Sequence, residues 1–160
     1  MRKNKAQAWG FDIIVASTLF LIGIVVFYIY AINNSGQSEE IYNSLSYDGN
    51  AIADSLLSEG SPENWNLGNI VSIGLMSNDK INNTKLEIFY NLSRDNYDAA
   101  RAVFNTPNNY FVNFSVPIIF NGTQIPGIGL QYSNPQNLIK VARFTIYNDK
   151  PVTMNVYMWN

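Results

Sequence analysis

Residues 11–33 read FDIIVASTLFLIGIVVFYIYAIN, and between Asp12 and Asn33 they hold twenty consecutive residues without a formal charge. A helix of that length rises about 30 Å at roughly 1.5 Å per residue, enough to cross the hydrocarbon core of a bilayer. Working outward, Arg2, Lys3 and Lys5 stand before the apolar run, whereas residues 33–160 carry seven Lys/Arg against eleven Asp/Glu. Basic residues flanking a first apolar segment stay cytoplasmic, so the C-terminal part is expected outside the membrane. That part is about 128 residues long, the size of one ordinary domain.

Composition narrows the chemistry. An acidic exterior disfavours nucleic acid as a partner, because duplex binding rests on neutralising phosphates with Lys and Arg. The chain has no Cys, so an exported domain must hold together by packing alone, and it has no His. Imidazole metal sites and most acid–base dyads are thereby removed, and no cofactor and no metal are expected.

Three readings compete for residues 1–32. A secretory signal has a shorter apolar stretch followed by a small-residue cleavage site, whereas here the stretch runs into Phe27, Tyr28 and Tyr30. A plain single-pass anchor accommodates those aromatics at the membrane interface. The third reading rests on Lys5-Ala6-Gln7. A short basic leader ending in Lys-Ala, a Gln and then an apolar helix resembles the archaeal type IV pilin-like proteins with class III signal peptides. That resemblance implies cleavage between Ala6 and Gln7 by a prepilin peptidase and retention of the helix. It also implies assembly through a platform with copies of itself or related pilins. An alternative junction, Gly10-Phe11, resembles the bacterial prepilin site. The family carries an acidic residue at the fifth mature position; counted from Gln7 that position is Phe11, and the acid, Asp12, is one later. A carboxylate at the entrance of an apolar helix is costly unless paired, and the helix dipole favours it there. Asp12 is therefore either a subunit contact or a simple cap at headgroup level.

Beyond Ile32 the polar stretch NNSGQSEE is expected to kink or interrupt the helix. Residues 37–58 continue a helical pattern through Ile41, Leu45, Ile52, Leu56 and Leu57, with Tyr47-Asp48-Gly49-Asn50 as a break midway. Gly60 and Pro62 read as a stop, followed by Trp65 tucked beneath the domain. Residues 70–75 are a strand or a core-lining segment, and Asn78-Asp79-Lys80 is a turn. From Asn83 the positions Leu86, Phe89, Tyr90 and Leu92 share a helical face, and residues 95–98 separate this helix from a second holding Tyr97, Ala100, Val103 and Phe104. From Tyr110 the period changes to two. Residues 118–120 and 124–128 flank Asn121-Gly122, and residues 139–147 and 152–159 flank Asn148-Asp149-Lys150-Pro151, giving two hairpins. The fold class is α+β: an N-terminal transmembrane or filament-core helix, a small helical region and an antiparallel sheet of about four strands, which is also the pilin plan. The expected divisions are a leader at 1–6, the helix at 7–36 and the head at 37–160. The segments LLSEGSPENW, IVSIGLMSNDKINNTKLEIFYNL and YNDKPVTMNVYMW are similar to recurrent segments of archaeal pilin-like ectodomains.

No reaction centre stands out. Acid pairs such as Glu39/Glu40 and Asp95/Asp98 have the residue types of a glycosidase, but scattered acids supply such pairs by accident. Gly127-Ile128-Gly129 lacks the further glycine and helix of a phosphate cradle, and no catalytic residue is assigned. Asn is abundant at twenty-three residues, and five N-x-S/T sequons begin at Asn33, Asn82, Asn91, Asn113 and Asn121, all on the expected outer side. The clusters Asn109-Tyr110-Phe111 and Tyr157-Met158-Trp159 suit core or subunit contacts better than a sugar- or partner-binding face. The expected function is a structural subunit, major or minor, of a type IV pilus-like filament at the cell surface. A membrane-tethered binding protein or adhesin that never polymerises is the alternative, and a surface glycosidase is a weaker rival.

Overall fold

A computed structural model describes the backbone of residues 4–120 and 122–160 and the side chains of 10–32, 39–120 and 122–160. In chain order its elements are α1 (Asn4–Leu56), β1 (Met76–Ser77), β2 (Lys80–Ile81), α2 (Asn83–Asp95), α3 (Tyr97–Val103), β3 (Asn109–Phe114), β4 (Ile118–Phe120), β5 (Thr123–Ile125), β6 (Ile128–Gly129), β7 (Leu138–Tyr147) and β8 (Lys150–Trp159). The chain divides into two compact units, Met1–Glu40 and Ile41–Asn160. The fold is α+β with an N-terminal apolar helix and antiparallel sheets.

In the second unit the main sheet has four antiparallel strands in the order β6-β3-β8-β7. Alternation decides its faces, because successive side chains of a strand point to opposite sides. Tyr110, Val112, Val141, Thr145, Val152, Met154, Val156 and Met158 form the buried inner face, and Phe144, between Arg143 and Thr145, is 85 % exposed on the other. Leu45, Ile52, Ala53 and Leu56 of α1 and Leu86 and Phe89 of α2 belong to the same core. Phe89 stacks on Tyr110, and Phe104 meets that ring edge-on with centroids 5.2 Å apart.

The expected break at residues 47–50 is absent, and α1 runs on to Leu56. Gly49 is there for close packing rather than for a turn: a Cβ on it would lie 3.0–3.1 Å from Val141, Ile139 and Met158. Asp48 is likewise employed in place, its Oδ2 accepting from the Thr106 hydroxyl and from Asn108 Nδ2 at 2.9 Å. The expected interruption at residues 33–40 is also absent from the backbone, which is helical throughout. Helix α1 ends two residues before the expected position 58, where Lys85 Nζ donates to the carbonyls of Glu59 and Met76, both at 2.8 Å. The stop then forms as read: Trp65 is 2 % exposed and its indole N–H donates to Gly74 O at 2.8 Å.

Residues 70–75 make no strand beyond the single bridge Ser61–Ser72. They line the core through Ile73 and Leu75. Helices α2 and α3 meet at Asn96, whose side chain caps α3 by accepting from Ala99 N. The sheet differs from expectation in its fourth member. β4 and β5 pair only with each other, and the stretch expected as one strand over 124–128 divides into β5 and β6 at Pro126-Gly127. Proline has no N–H for a ladder, and at Gly127 a Cβ would lie 2.5 Å from Phe111 Cζ and from Val112 O. The second hairpin turns on Asn148 and Asp149 alone, with φ of 49° and 60°. Lys150 and Pro151 already belong to β8, opposite Tyr147 and Ile146.

Candidate functional site

The first unit contains one chemically distinctive surface. The span Gly10–Ile32 is 23 residues long and none of it is buried. That length corresponds to about 35 Å of helix. Leu19, Phe20, Leu21 and Ile22 are each at least half exposed. Four consecutive helical residues, stepped by about 100° each, cover most of the circumference, so the apolar surface has no polar side. A surface of this kind is stable only against lipid or against other apolar helices. The polar atoms within it are quiet: the Thr18 hydroxyl donates to Ile14 O at 2.9 Å, the backbonding that lets Thr sit in apolar surroundings. Gly10 and Gly23 have nothing within 4 Å of a Cβ position, so the chain itself gives no reason for glycine there. Tyr28 and Tyr30 are exposed near the far end, the amphipathic residue type that favours a lipid–water boundary.

Asp12 lies within α1 and is exposed, and among the described residues it makes no ion pair. The Gly10-Phe11 junction lies in the same helix, with Phe11 68 % exposed. Ala6 and Gln7 are helical in backbone, and their side chains lie outside the described residues. Met1 to Lys3 lie outside altogether.

In the second unit the sequons fall in different environments. Asn82 is committed to the fold: its Oδ1 accepts from Thr84 N and Lys85 N at the start of α2, and its Nδ2 donates to Ser77 Oγ. Asn113, on β3, accepts from Asn155 Nδ2 at 2.9 Å. Asn91 is half-buried on α2 with no side-chain hydrogen bond among the described residues, whereas the hydroxyl of its sequon partner Ser93 is buried against the Tyr110 hydroxyl at 2.8 Å. The side chain of Asn33 and the whole of Asn121 lie outside the described residues.

The two aromatic clusters are largely internal. Tyr110 and Met158 are fully buried, and Phe111 and Trp159 are 6 % and 7 % exposed. Tyr132 lies over this outer part of the sheet, 5.4 Å from the Tyr157 ring and 5.6 Å from Trp159. The paired acids are surface groups: Glu39 and Glu40 are exposed and make no ion pair among the described residues, and Asp95 and Asp98 have local partners. Asp95 holds Arg94 at 2.7 Å, and that hydrogen bond keeps its carboxyl below the ordinary range. Asp98 pairs with Arg101 one turn along α3. Lys80 likewise lowers Asp149 through a direct hydrogen bond. Among the described residues no group of three or more His, Cys, Asp or Glu gathers as a metal site.

One feature escaped the sequence. A groove runs between α2 and the β4–β5 hairpin, where Phe120 meets Tyr90 with ring centroids 5.1 Å apart. Its signal was the row Asn83, Glu87, Asn91 at intervals of four, which in sequence alone is indistinguishable from a solvated helix face. Compared with protein-family models, with curated proteins and with solved structures, the chain finds no match in any of the three.

Proposed function

We propose that this protein is a subunit of a type IV pilus-like surface filament, of the archaeal pilin-like kind. Its apolar helix first anchors the chain in the cell membrane as a single span with the head outside. After removal of the basic leader, the same helix packs with copies of itself or related pilins in the filament core. Asp12 then meets a cation supplied by a neighbouring subunit, since a carboxylate entering apolar surroundings requires a counter-charge. The protein acts by assembly rather than catalysis.

The observation that carries this reading is the span Gly10–Ile32, apolar on all sides with none of it buried. Its support in sequence is the basic leader ending in Lys5-Ala6, before Gln7, together with the α+β plan of the head. Mass spectrometry of the protein from its native cells tests the reading, combined with electron microscopy of surface filaments. A mature chain beginning at Gln7 or Phe11, found in filaments, is the expected result. An intact Met1 in membranes without filaments would instead establish the non-polymerising surface protein.

A further inference from the structure

The groove between α2 and the β4–β5 hairpin consists of two clefts that share Glu87 and Phe120 in their walls. One, of about 330 Å³, is lined by Asn83, Glu87, Tyr147 and Asn148 together with Phe120 and the apolar Pro117 and Ile119. The other, of about 250 Å³, is lined by Glu87, Tyr90, Asn91 and Thr123, again with Phe120. Asn83, Glu87 and Asn91 are spaced i, i+4, i+8 and form one stripe about 12 Å long at 1.5 Å per residue.

The groups along this stripe define the ligand chemistry. Among the described residues, neither the Glu87 nor the Asn91 side chain has a hydrogen-bond or ion-pair partner, and Asn83 makes one long contact, 3.3 Å to Asn148 Oδ1. The only cation among the described lining residues, Arg94, is held by Asp95 and lies over the Tyr90 ring at 5.4 Å. A free carboxylate beside a neutralised guanidinium repels phosphate, sulfate and acidic sugars. An apolar ligand would strip water from Asn, Glu and Thr side chains without replacing their hydrogen bonds, which is costly. What fits is a ligand with closely spaced hydroxyls that both donate and accept, and with an apolar C–H face for aromatic rings. Pockets of this kind combine an aromatic wall with a few polar groups that fix orientation.

We propose that this groove binds a neutral oligosaccharide, one sugar ring in each cleft, with Phe120 contacting both rings and Glu87 accepting hydrogen bonds from hydroxyls of both. The sugar has two possible sources with the same chemistry: a glycan attached to this chain at Asn91, at the groove's edge, or a free saccharide from another surface. The site stands independently of filament assembly.

The test uses the full chain made in a host without N-glycosylation and held in a detergent without a sugar headgroup. It is titrated with maltose, cellobiose, lactose and chitobiose, and with a sialylated lactose, by saturation-transfer NMR. At least one neutral disaccharide is expected to bind, with the sialylated sugar at least tenfold weaker. Glu87→Ala and Phe120→Ala are each expected to weaken binding at least tenfold. Glu87 is exposed, so its variant keeps the test readable if Phe120→Ala fails to fold. Absence of binding by all four neutral sugars overturns the proposal, as does binding that survives Glu87→Ala. Glycopeptide mass spectrometry of the native protein then separates the sources: a modified Asn91 identifies the chain's own glycan, and an unmodified Asn91 an external one.

Discussion

Tyr110 shows how one residue joins several parts of the head. It is fully buried on β3, donates its backbone N–H to the Tyr97 hydroxyl at 2.8 Å and shares a hydroxyl contact with Ser93 of α2. Burial pushes its phenol well above the ordinary value of 10, with the Ser93 hydrogen bond a smaller opposing effect. The consequence for stability has a definite sign. As pH rises past 10 the unfolded chain loses this proton while the folded chain keeps it, so the unfolded state binds fewer protons and stability falls. The limiting slope is about 1.4 kcal/mol per pH unit. Stability is thus fully present below pH 10 and lost progressively above it. Tyr110→Phe is expected to cost about 1 kcal/mol at neutral pH, because Ser93 loses its buried partner, and to flatten the alkaline decline. Urea midpoints of the two proteins in micelles from pH 7 to 11 check this. Tyr97, also raised by burial, keeps a residual slope in the variant.

At the scale of elements, the decisive contact is the one α1 makes with the sheet within the second unit. A Cβ at Gly49 would lie 3.0–3.1 Å from Val141 Cγ2, Ile139 Cδ1 and Met158 Cγ on β7 and β8. Replacing it by Ala gains roughly 1 kcal/mol of helix propensity, offset by the shifts of a few tenths of an ångström those side chains must make. The two nearly cancel, and the expected net change in stability is close to zero. Gly49→Leu has no such escape, and overpacking is expected to cost about 2–3 kcal/mol. Thermal unfolding of both variants, followed by circular dichroism, distinguishes a packing glycine from a flexible one, for which Ala would be plainly stabilising.

The same residue explains which parts of the fold were legible in the sequence. Alternation along 139–147 puts Val141, Arg143, Thr145 and Tyr147 on one face and Ala142, Phe144 and Ile146 on the other. The structure turns the first face inward through Val141, Thr145 and Tyr147 and leaves Phe144 exposed, because side-chain direction in a strand is purely local. The start of α2 at Asn83 was legible for a similar reason, as Asn82 caps it through nearby backbone N–H groups, whereas the separator expected over 95–98 narrows to Asn96, which caps α3. Tyr47-Asp48-Gly49-Asn50 misled because its turn-forming residues serve distant partners: Asp48 reaches Thr106 and Asn108, and the Asn50 Oδ1 accepts from Arg143 at 2.8 Å. The place of β6 at the sheet edge was illegible too, since it depends on Gly127 passing tightly over Phe111. The saccharide groove was hidden for the same reason, because its two walls come from segments some thirty residues apart.

For the whole molecule, the governing quantity is the transfer free energy of the apolar span. Residues 13–32 contain thirteen Ile, Leu, Val and Phe, which at −0.3 to −0.6 kcal/mol each give roughly −4 to −8 kcal/mol for membrane insertion. An Asp near the centre costs about 3 kcal/mol on the same scale. One such change is therefore tolerated and two nearly cancel the driving force. Ile22→Asp is expected to leave the protein in carbonate-washed membranes, whereas Ile22→Asp combined with Val25→Asp is expected to shift most of it out of them. The proposed filament assembly would have a stricter requirement. Each copy would carry its Asp into a bundle of like helices, where the carboxylates meet one another without water or counter-charge. Ile22→Asp alone is therefore expected to abolish filaments while membrane retention persists. Fractionation and electron microscopy of the same cells read both outcomes. Filaments that tolerate Ile22→Asp would place this span outside their core.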